Sequence, residues 1–406
     1  MTDQDGDEIG GYDYESYMKG EHNDEKEAFT NAFNSIASHD DNQSEEQIEV
    51  AEILVHRMNS SNMRVIDMPG EGVFRLNDAH IAHFVEALFT SAVNLEYLSL
   101  KYHHIGSAGT VDICRLLNAP GSHLSTVILE GNEIGVHGAT AIKEALLSPS
   151  CPLSALNISW NFLTPEGGHE LAAGLQTNES LRSFKASNCG FNYGSVVALC
   201  TNIAINQNIE EVELDRPILG KFDSDICIDH MSKSLLNHRG VRSLSLQYFG
   251  ITDHGTSLLA ETFWSRIQIC HLNLASNSIC IKGAEFLSSF IVQSKTIKSV
   301  NISNNSIMDE GALALSKALL ASKSLNKLSL KNCRIGEKGL ISIGQSLYTN
   351  RHLRDLQLWG NTFSDSSAHL YFELNKNRFP TTSVRLDFQV YVVDDAHLVA
   401  EVVLAK

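Results

Sequence analysis

LSTVILEGNEI, residues 124 to 134, places Leu124, Val127 and Leu129 at offsets 0, 3 and 5, Asn132 at offset 8 and Ile134 at offset 10. Apolar residues two apart have the period of a short strand with one buried face. The pattern returns every 28 or 29 residues, from Leu95, Leu124, Leu153, Leu181, Ile209, Val241, Ile269, Ile297, Leu325 and Leu353, with a degenerate first copy at Met63; the copy at Ile209 runs to 32. The second half of each copy changes period. Glycine stands at offset 14 in most copies (Gly109, Gly138, Gly167, Gly255, Gly283, Gly311, Gly339), and apolar pairs four apart follow, such as Ile142 with Leu146 and Leu315 with Leu319. A spacing of four puts both members on one face of a helix.

The unit is therefore strand, loop, helix, and no unit buries its apolar face without neighbours. Stacking about eleven units over residues 63–380 predicts an α/β solenoid with parallel strands inside and helices outside. Helices are wider than strands, so the stack curves and leaves the strands on its concave wall. Offset 8 reads Asn132, Asn161, Cys189, Pro217, Phe249, Asn277, Asn305, Cys333 and Asn361. An amide there satisfies turn backbone that stacking would leave unpaired. Pro217 and the longer copy around it predict an interruption of the regular stack.

With its LxxLxLxxNxI core and Asn or Cys at offset 8, the repeat resembles the ribonuclease-inhibitor-like subfamily of leucine-rich repeats over about residues 63–375. The resemblance implies a curved horseshoe. That family includes ribonuclease inhibitors, activators of the Ran GTPase, actin-filament cappers, innate-immune receptors and ciliary or nucleolar scaffolds, so the fold does not choose a function.

Hydrophobic residues make up 43 % of the 406 residues and charged residues 19 %, enough for a continuous core. The net charge of −17 is uneven: residues 1–46 hold 14 acids and 2 lysines, and the remaining 360 hold 34 acids and 29 bases. Residues 1–45 read as an acidic, mostly disordered tail. Residues 46–62 read as a capping helix with Ile48, Ala51, Val55 and Met58 on one face, and residues 381–406 as a β-hairpin cap turning at DDAH. No run of clustered Lys and Arg marks a nucleic-acid stripe. The eight cysteines lack CxxC pairing and read as reduced core thiols. Without a secretory leader or an apolar run of membrane length, the expected compartment is cytoplasmic, with nuclear or ciliary alternatives.

Signs of catalysis fail one by one. His169 and Glu170 open a zinc-protease-like HELAA, but Ala173 stands where the second His belongs. The opening DQDGDEIGGYDYE has Glu8 and Tyr14 where a calcium loop needs Gly and an acid. His80, His83 and Glu86 share a helix without completing a metal set. Neither a cofactor nor a metal is expected. The expected working surface is the concave wall, where offsets 2, 4, 6 and 7 bring Tyr97, Lys101, Tyr102, Trp160, Glu211, Glu213, Asp215, Tyr248 and Trp359; exposed aromatics commonly anchor protein interfaces. The expected function is a non-enzymatic scaffold for a partner protein, in the acidic middle one with a basic patch. The alternative is regulation of an enzyme, as a Ran-type activator or a ribonuclease-type inhibitor. Ran activators carry their acidic tail at the C-terminus and ribonuclease inhibitors are richer in Cys and Trp, which favours the scaffold.

Overall fold

The computed structural model describes residues 64–70, 75–90, 94–220, 223–236, 238–266, 268–377, 384–394 and 396–402. The acidic segment and the expected capping helix at 46–62 lie outside them. Among the described residues, strands β1 (Val65–Asp67), β2 (Tyr97–Ser99), β3 (Thr126–Ile128), β4 (Ala155–Asn157), β5 (Ser183–Lys185) and β6 (Glu211–Glu213) are followed by β7 (Ser243–Ser245), β8 (His271–Asn273), β9 (Ser299–Asn301), β10 (Lys327–Ser329), β11 (Asp355–Gln357) and β12 (Arg385–Leu386). All twelve form one parallel sheet in sequence order. Helices α1 (Asp78–Thr90), α2 (Ser107–Leu117), α3 (Val136–Leu147), α4 (Thr164–Thr177), α5 (Tyr193–Ile205), α6 (Asp223–Leu235), α7 (Asp253–Arg266), α8 (Ile281–Gln293), α9 (Met308–Ala321), α10 (Glu337–Leu347) and α11 (Asp365–Asn377) alternate with the first eleven strands.

Pairing is in repeat register: Val127 opposes Leu156, which opposes Phe184, which opposes Val212. Each offset therefore becomes a column. Offset 3 (Leu98, Val127, Leu156, Phe184), offset 5 (Leu100, Leu129, Ile158) and offset 10 (Ile105, Ile134, Leu163) are buried in one continuous core. The offset-14 glycine lets the helix approach that core: a Cβ on Gly138 would lie 2.5 Å from Ile134 Cγ2, and one on Gly339 2.5 Å from Ile335 Cγ2. Strands about 4.8 Å apart stand in step with helices roughly 8–10 Å apart, which bends the stack into a horseshoe with the strands on its concave face.

The amide column works as a ladder. Asn305 Nδ2 donates to the carbonyls of Ile302 (2.9 Å) and, one repeat back, Leu274 (3.0 Å), while its Oδ1 accepts from Ile279 N–H (2.9 Å). Asn132 and Asn161 repeat these bonds. His103 takes the same position at the N-terminal end, with Nδ1 facing Leu76 N–H (3.1 Å) and Nε2 facing Met68 O (2.8 Å). A thiol donates but scarcely accepts, and this reshapes the loop facing it. Opposite Cys189 and Cys333 the preceding loops turn through positive φ at Thr164 (63°) and Met308 (55°), so that the N–H groups of Leu163 and Met308 reach the cysteine carbonyls instead. Helices α4 and α9, which follow those loops, consequently start one residue earlier in the repeat, at offset 11 against offset 12 for α2 and α10.

A second ladder, three residues before each repeat, was not read from the sequence. Asn178, Asn206, His238 and Asn350 bond backbone groups of their own turn and of the preceding one.

The expected interruption at Pro217 does not occur. β6 pairs with both neighbours in register. The sheet's bonds here are carried by Leu214 N–H (3.2 Å to Ser245 O) and Arg216 N–H (2.9 Å to Gln247 O), both upstream of the proline, and Ile218 N–H turns to Phe191 O (2.7 Å). The missing donor therefore costs the ladder nothing.

At the C-terminal end, Arg385–Leu386 joins the main sheet rather than a hairpin. The antiparallel hairpin comprises β13 (Phe388–Val393) and β14 (Ala396–Glu401) and packs on α11, Phe388 meeting Phe363 and Tyr371 at ring distances of 4.8 and 5.3 Å. Between them, the Asp387 carboxylate accepts from Leu358 N–H (2.8 Å) and Trp359 N–H (3.2 Å), substituting for the backbone of a further repeat.

Candidate interaction surface

The first and third residues of each strand point away from the core into the concavity. Over β6–β11 they border an open depression of about 310 Å³ lined by Glu211, Glu213, His271, Asn301, Lys327 and Gln357 among others. Its floor is mostly Ser, Asn and Gln, groups that donate or accept hydrogen bonds without fixed charge.

The acidic trio is less available than its spacing implied. Lys185 pairs with Glu211 at 2.8 Å and lies 3.9 Å from Glu213. Asp215 does not reach the cavity: it is 7 % exposed, and its carboxylate accepts from Gln247 N–H (2.7 Å), Gln247 Nε2 (2.9 Å) and Ser245 Oγ (2.8 Å). Burial raises the Asp215 pKa despite those donors, and burial together with Asp215 raises that of Glu213. Tyr97 and Lys101 are half-buried, and Trp359 is half-buried against the core. On α1, the His80 ring lies 2.7 Å from Asn77 Oδ1.

Offset 7 has a property that only the backbone discloses. In the ten copies from Leu95 onward every residue of this column has positive φ: Tyr102 60°, Gly131 69°, Trp160 60°, Asn188 54°, Arg216 56°, Tyr248 52°, Ser276 57°, Asn304 58°, Asn332 51° and Gly360 80°. The residue's N–H still extends the sheet, as Trp160 N–H does to Ser187 O (2.7 Å), while the chain turns off into the loop. Glycine and asparagine adopt this conformation at least cost. Tyr102, Trp160, Arg216 and Tyr248 adopt it against a penalty of about 1 kcal/mol or more each. They gain little burial in return, since Tyr102, Trp160 and Tyr248 are 45, 50 and 49 % exposed.

The structure brings Trp160 and Tyr248 together through Arg216, which the sequence places at offset 7 beside the acidic trio. The Arg216 guanidinium lies 3.8 Å from the Tyr248 ring centre and 5.7 Å from that of Trp160. Exposed Phe162 and Ile218, both at offset 9, extend the apolar surface beside this stack. Tyr102 stands apart: its hydroxyl donates to Glu130 (2.7 Å), and its ring occupies the space a Gly131 Cβ would need.

The family model described as Leucine Rich repeat matches residues 293–316 and 321–344. Ribonuclease inhibitor of Sus scrofa is 27 % identical over 198 residues, covering 48 % of this chain and 41 % of that protein. This chain is a leucine-rich-repeat protein of the ribonuclease-inhibitor-like type. Ribonuclease inhibitor of Mus musculus is 26 % identical over 246 residues, covering 52 % of each. A leucine-rich-repeat protein of another kind, NACHT, LRR and PYD domains-containing protein 5 of Homo sapiens, is 28 % identical over 246 residues, 60 % of this chain and 20 % of that one. The chain thus spans about half or less of the length of these relatives. Among the described residues no helix is long and apolar enough to cross a membrane.

Proposed function

We propose that the chain is a non-enzymatic protein-interaction scaffold of a cytoplasmic or nuclear assembly, binding a partner protein along the concave wall and the aromatic rim at the ends of its strands. The observation that carries this reading is the set of exposed aromatic side chains held on left-handed backbone, where Asn or Gly would cost the fold less. Strain kept at a solvent-exposed position points to a role outside folding. Trp160 and Tyr248, stacked on Arg216, supply rigid apolar area at small entropic cost. The polar floor supports hydrogen bonding to a partner's backbone, with Glu211 and Glu213 beside it for basic side chains.

The test compares proteins captured by the wild-type chain and by a Trp160→Asn, Tyr248→Asn variant, with folding of both checked by circular dichroism. A protein captured by the first and lost from the folded second supports the reading; identical capture refutes it. A second reading, inhibition of a ribonuclease, follows from the names of two relatives. Titrating a pancreatic-type ribonuclease with the chain decides it directly.

A further inference from the structure

A second surface is electrostatic, and it appears only when the repeats are stacked. Two residues before each repeat start and one or two after it, the C-terminal half carries Arg239 and Arg242, Lys295 and Lys298, Lys323 and Lys327, Arg351 and Arg354, then Arg385 on β12. In sequence these nine cations are scattered through 147 residues, and the absence of a basic run there argued against any basic stripe. Register stacking sets them side by side along the rim where the strands begin, across roughly 24 Å from β7 to β12 at about 4.8 Å per strand.

The rim is unneutralised. Its acid within the same positions is Asp355, which Arg385 already holds. Among the described residues Arg239, Lys295, Lys298, Lys323, Lys327 and Arg351 make no ion pair, and of these all but the half-buried Lys327 are exposed. The same positions in the N-terminal half read Arg64, which Glu96 pairs at 2.7 Å, then Ser125, Ser154, Glu179, Arg182, Glu210 and Glu211, so the rim is polarised from end to end. Burial lowers the pKa of His271, between β7 and β9, and Lys298 and Lys327 push in the same direction against Glu211. Like charges at this spacing repel, and an extended anion laid along the rim relieves them.

We infer that the acidic N-terminal segment of this chain, residues 3–27, lies along this ridge. It holds ten acids, from Asp3 to Glu27, against Lys19 and Lys26. Reach is sufficient even with residues 46–62 stationed at β1: residues 28–45 extend to about 60 Å at 3.3–3.6 Å per residue, and β1 to β7 is roughly 29 Å along the sheet. Tethering makes the effective concentration high, on the order of millimolar, which favours this occupant over a free polyanion. The net charge of −17 also opposes the approach of nucleic acid from solution.

The experiment uses the full chain, dilute and at low salt, with zero-length carbodiimide crosslinking of amines to carboxylates and mass-spectrometric mapping. Crosslinks from Lys295, Lys298, Lys323 or Lys327 to acids of residues 3–27 are expected in the monomer band. They should fall at least tenfold at about 1 M salt, where the Debye length is about 3 Å, and in a Lys298→Glu, Lys323→Glu variant read at Lys295 and Lys327. A labelled single-stranded oligonucleotide should bind the chain at least tenfold more weakly than it binds a variant with the ten acids changed to Asn or Gln. The inference is overturned if ridge-to-segment crosslinks are missing or confined to dimers, or if the oligonucleotide binds both forms equally, which would make the ridge a nucleic-acid surface.

Discussion

Replacing Asn305 by alanine removes one amide that serves four backbone groups, the longest bond being that to Ser303 O (3.3 Å). Ile279 N–H loses its acceptor (2.9 Å); Leu274 O loses the amide (3.0 Å) but keeps Asn277 Nδ2 at 3.0 Å, and Ile302 O loses it (2.9 Å) but keeps the Cys333 thiol at 3.2 Å. One orphaned donor in a site 3 % exposed gives an expected loss of about 2 kcal/mol. Urea melts followed by circular dichroism near neutral pH measure it. Asn326→Ala is the control, because that side chain is exposed at the sheet rim, and it should change stability by less than about 0.5 kcal/mol. Asn305→Cys should fall between the two: a thiol can donate to Leu274 O, as Cys333 does to Ile302 O one repeat on, but leaves Ile279 N–H unpaired, the loop there lacking the positive-φ turn seen at Met308. Equal midpoints for Asn305→Ala and Asn326→Ala would refute the ladder as a source of stability.

His103 is buried and neutral, its pKa lowered by that burial from about 6.5 to about 4. Its contribution is complete above 6.5 and is lost as pH falls from there to 4; at pH 5 linkage gives about 2 kcal/mol lost, and His103→Asn should abolish that part of the acid sensitivity in melts at the two pH values. Trp160→Asn and Tyr248→Asn should leave the melting temperature unchanged or raise it, by relief of about 1 kcal/mol of backbone strain; a clear fall would show that these rings pack as structure. Gly131→Ala should destabilise, since the new methyl meets the Tyr102 ring at 2.3 Å on a residue with φ of 69°, and Tyr102→Ala should partly rescue it in thermal melts. Alkylation under native conditions should label exposed Cys280 first and spare Cys189 and Cys333, whose thiols burial pushes up to about 12; prompt labelling of either would mean that the core opens.

Features set by one residue type at one spacing were legible before any coordinates. Aliphatic columns at offsets 0, 3, 5 and 10 and the Asn and Cys column are of this kind, and they carry the sheet, its order and its register. What escaped depends on neighbours 28 residues away. Asp215 looked solvent-facing until Ser245 and Gln247 of the next repeat closed over it, and Pro217 looked disruptive because the ladder's last donor proves to be Arg216, one residue earlier. His103 stood outside the offset-8 series because histidine is not an amide, although its two ring nitrogens can offer the same donor and acceptor. The second ladder mixes Asn and His with Ser294 and Ser322, whose hydroxyls accept from Ile297 and Leu325 N–H, so no single letter marks its period. In the aromatic column, sequence placed Tyr102, Trp160 and Tyr248 at offset 7, but the left-handed backbone that makes them costly is invisible in residue names.

Because the ladder residue of one repeat dictates the loop of the repeat before it, repeats here are not interchangeable bricks. Excising residues 297–324 would set the extended loop at Ile279 against Cys333, a residue that cannot accept its N–H, whereas excising 297–352 would present it with Asn361 and restore the match. At this point in the chain the natural quantum of lengthening or shortening is two repeats. Recombination within such genes, or the engineering of shorter horseshoes, should respect that parity before it respects the length of any single unit.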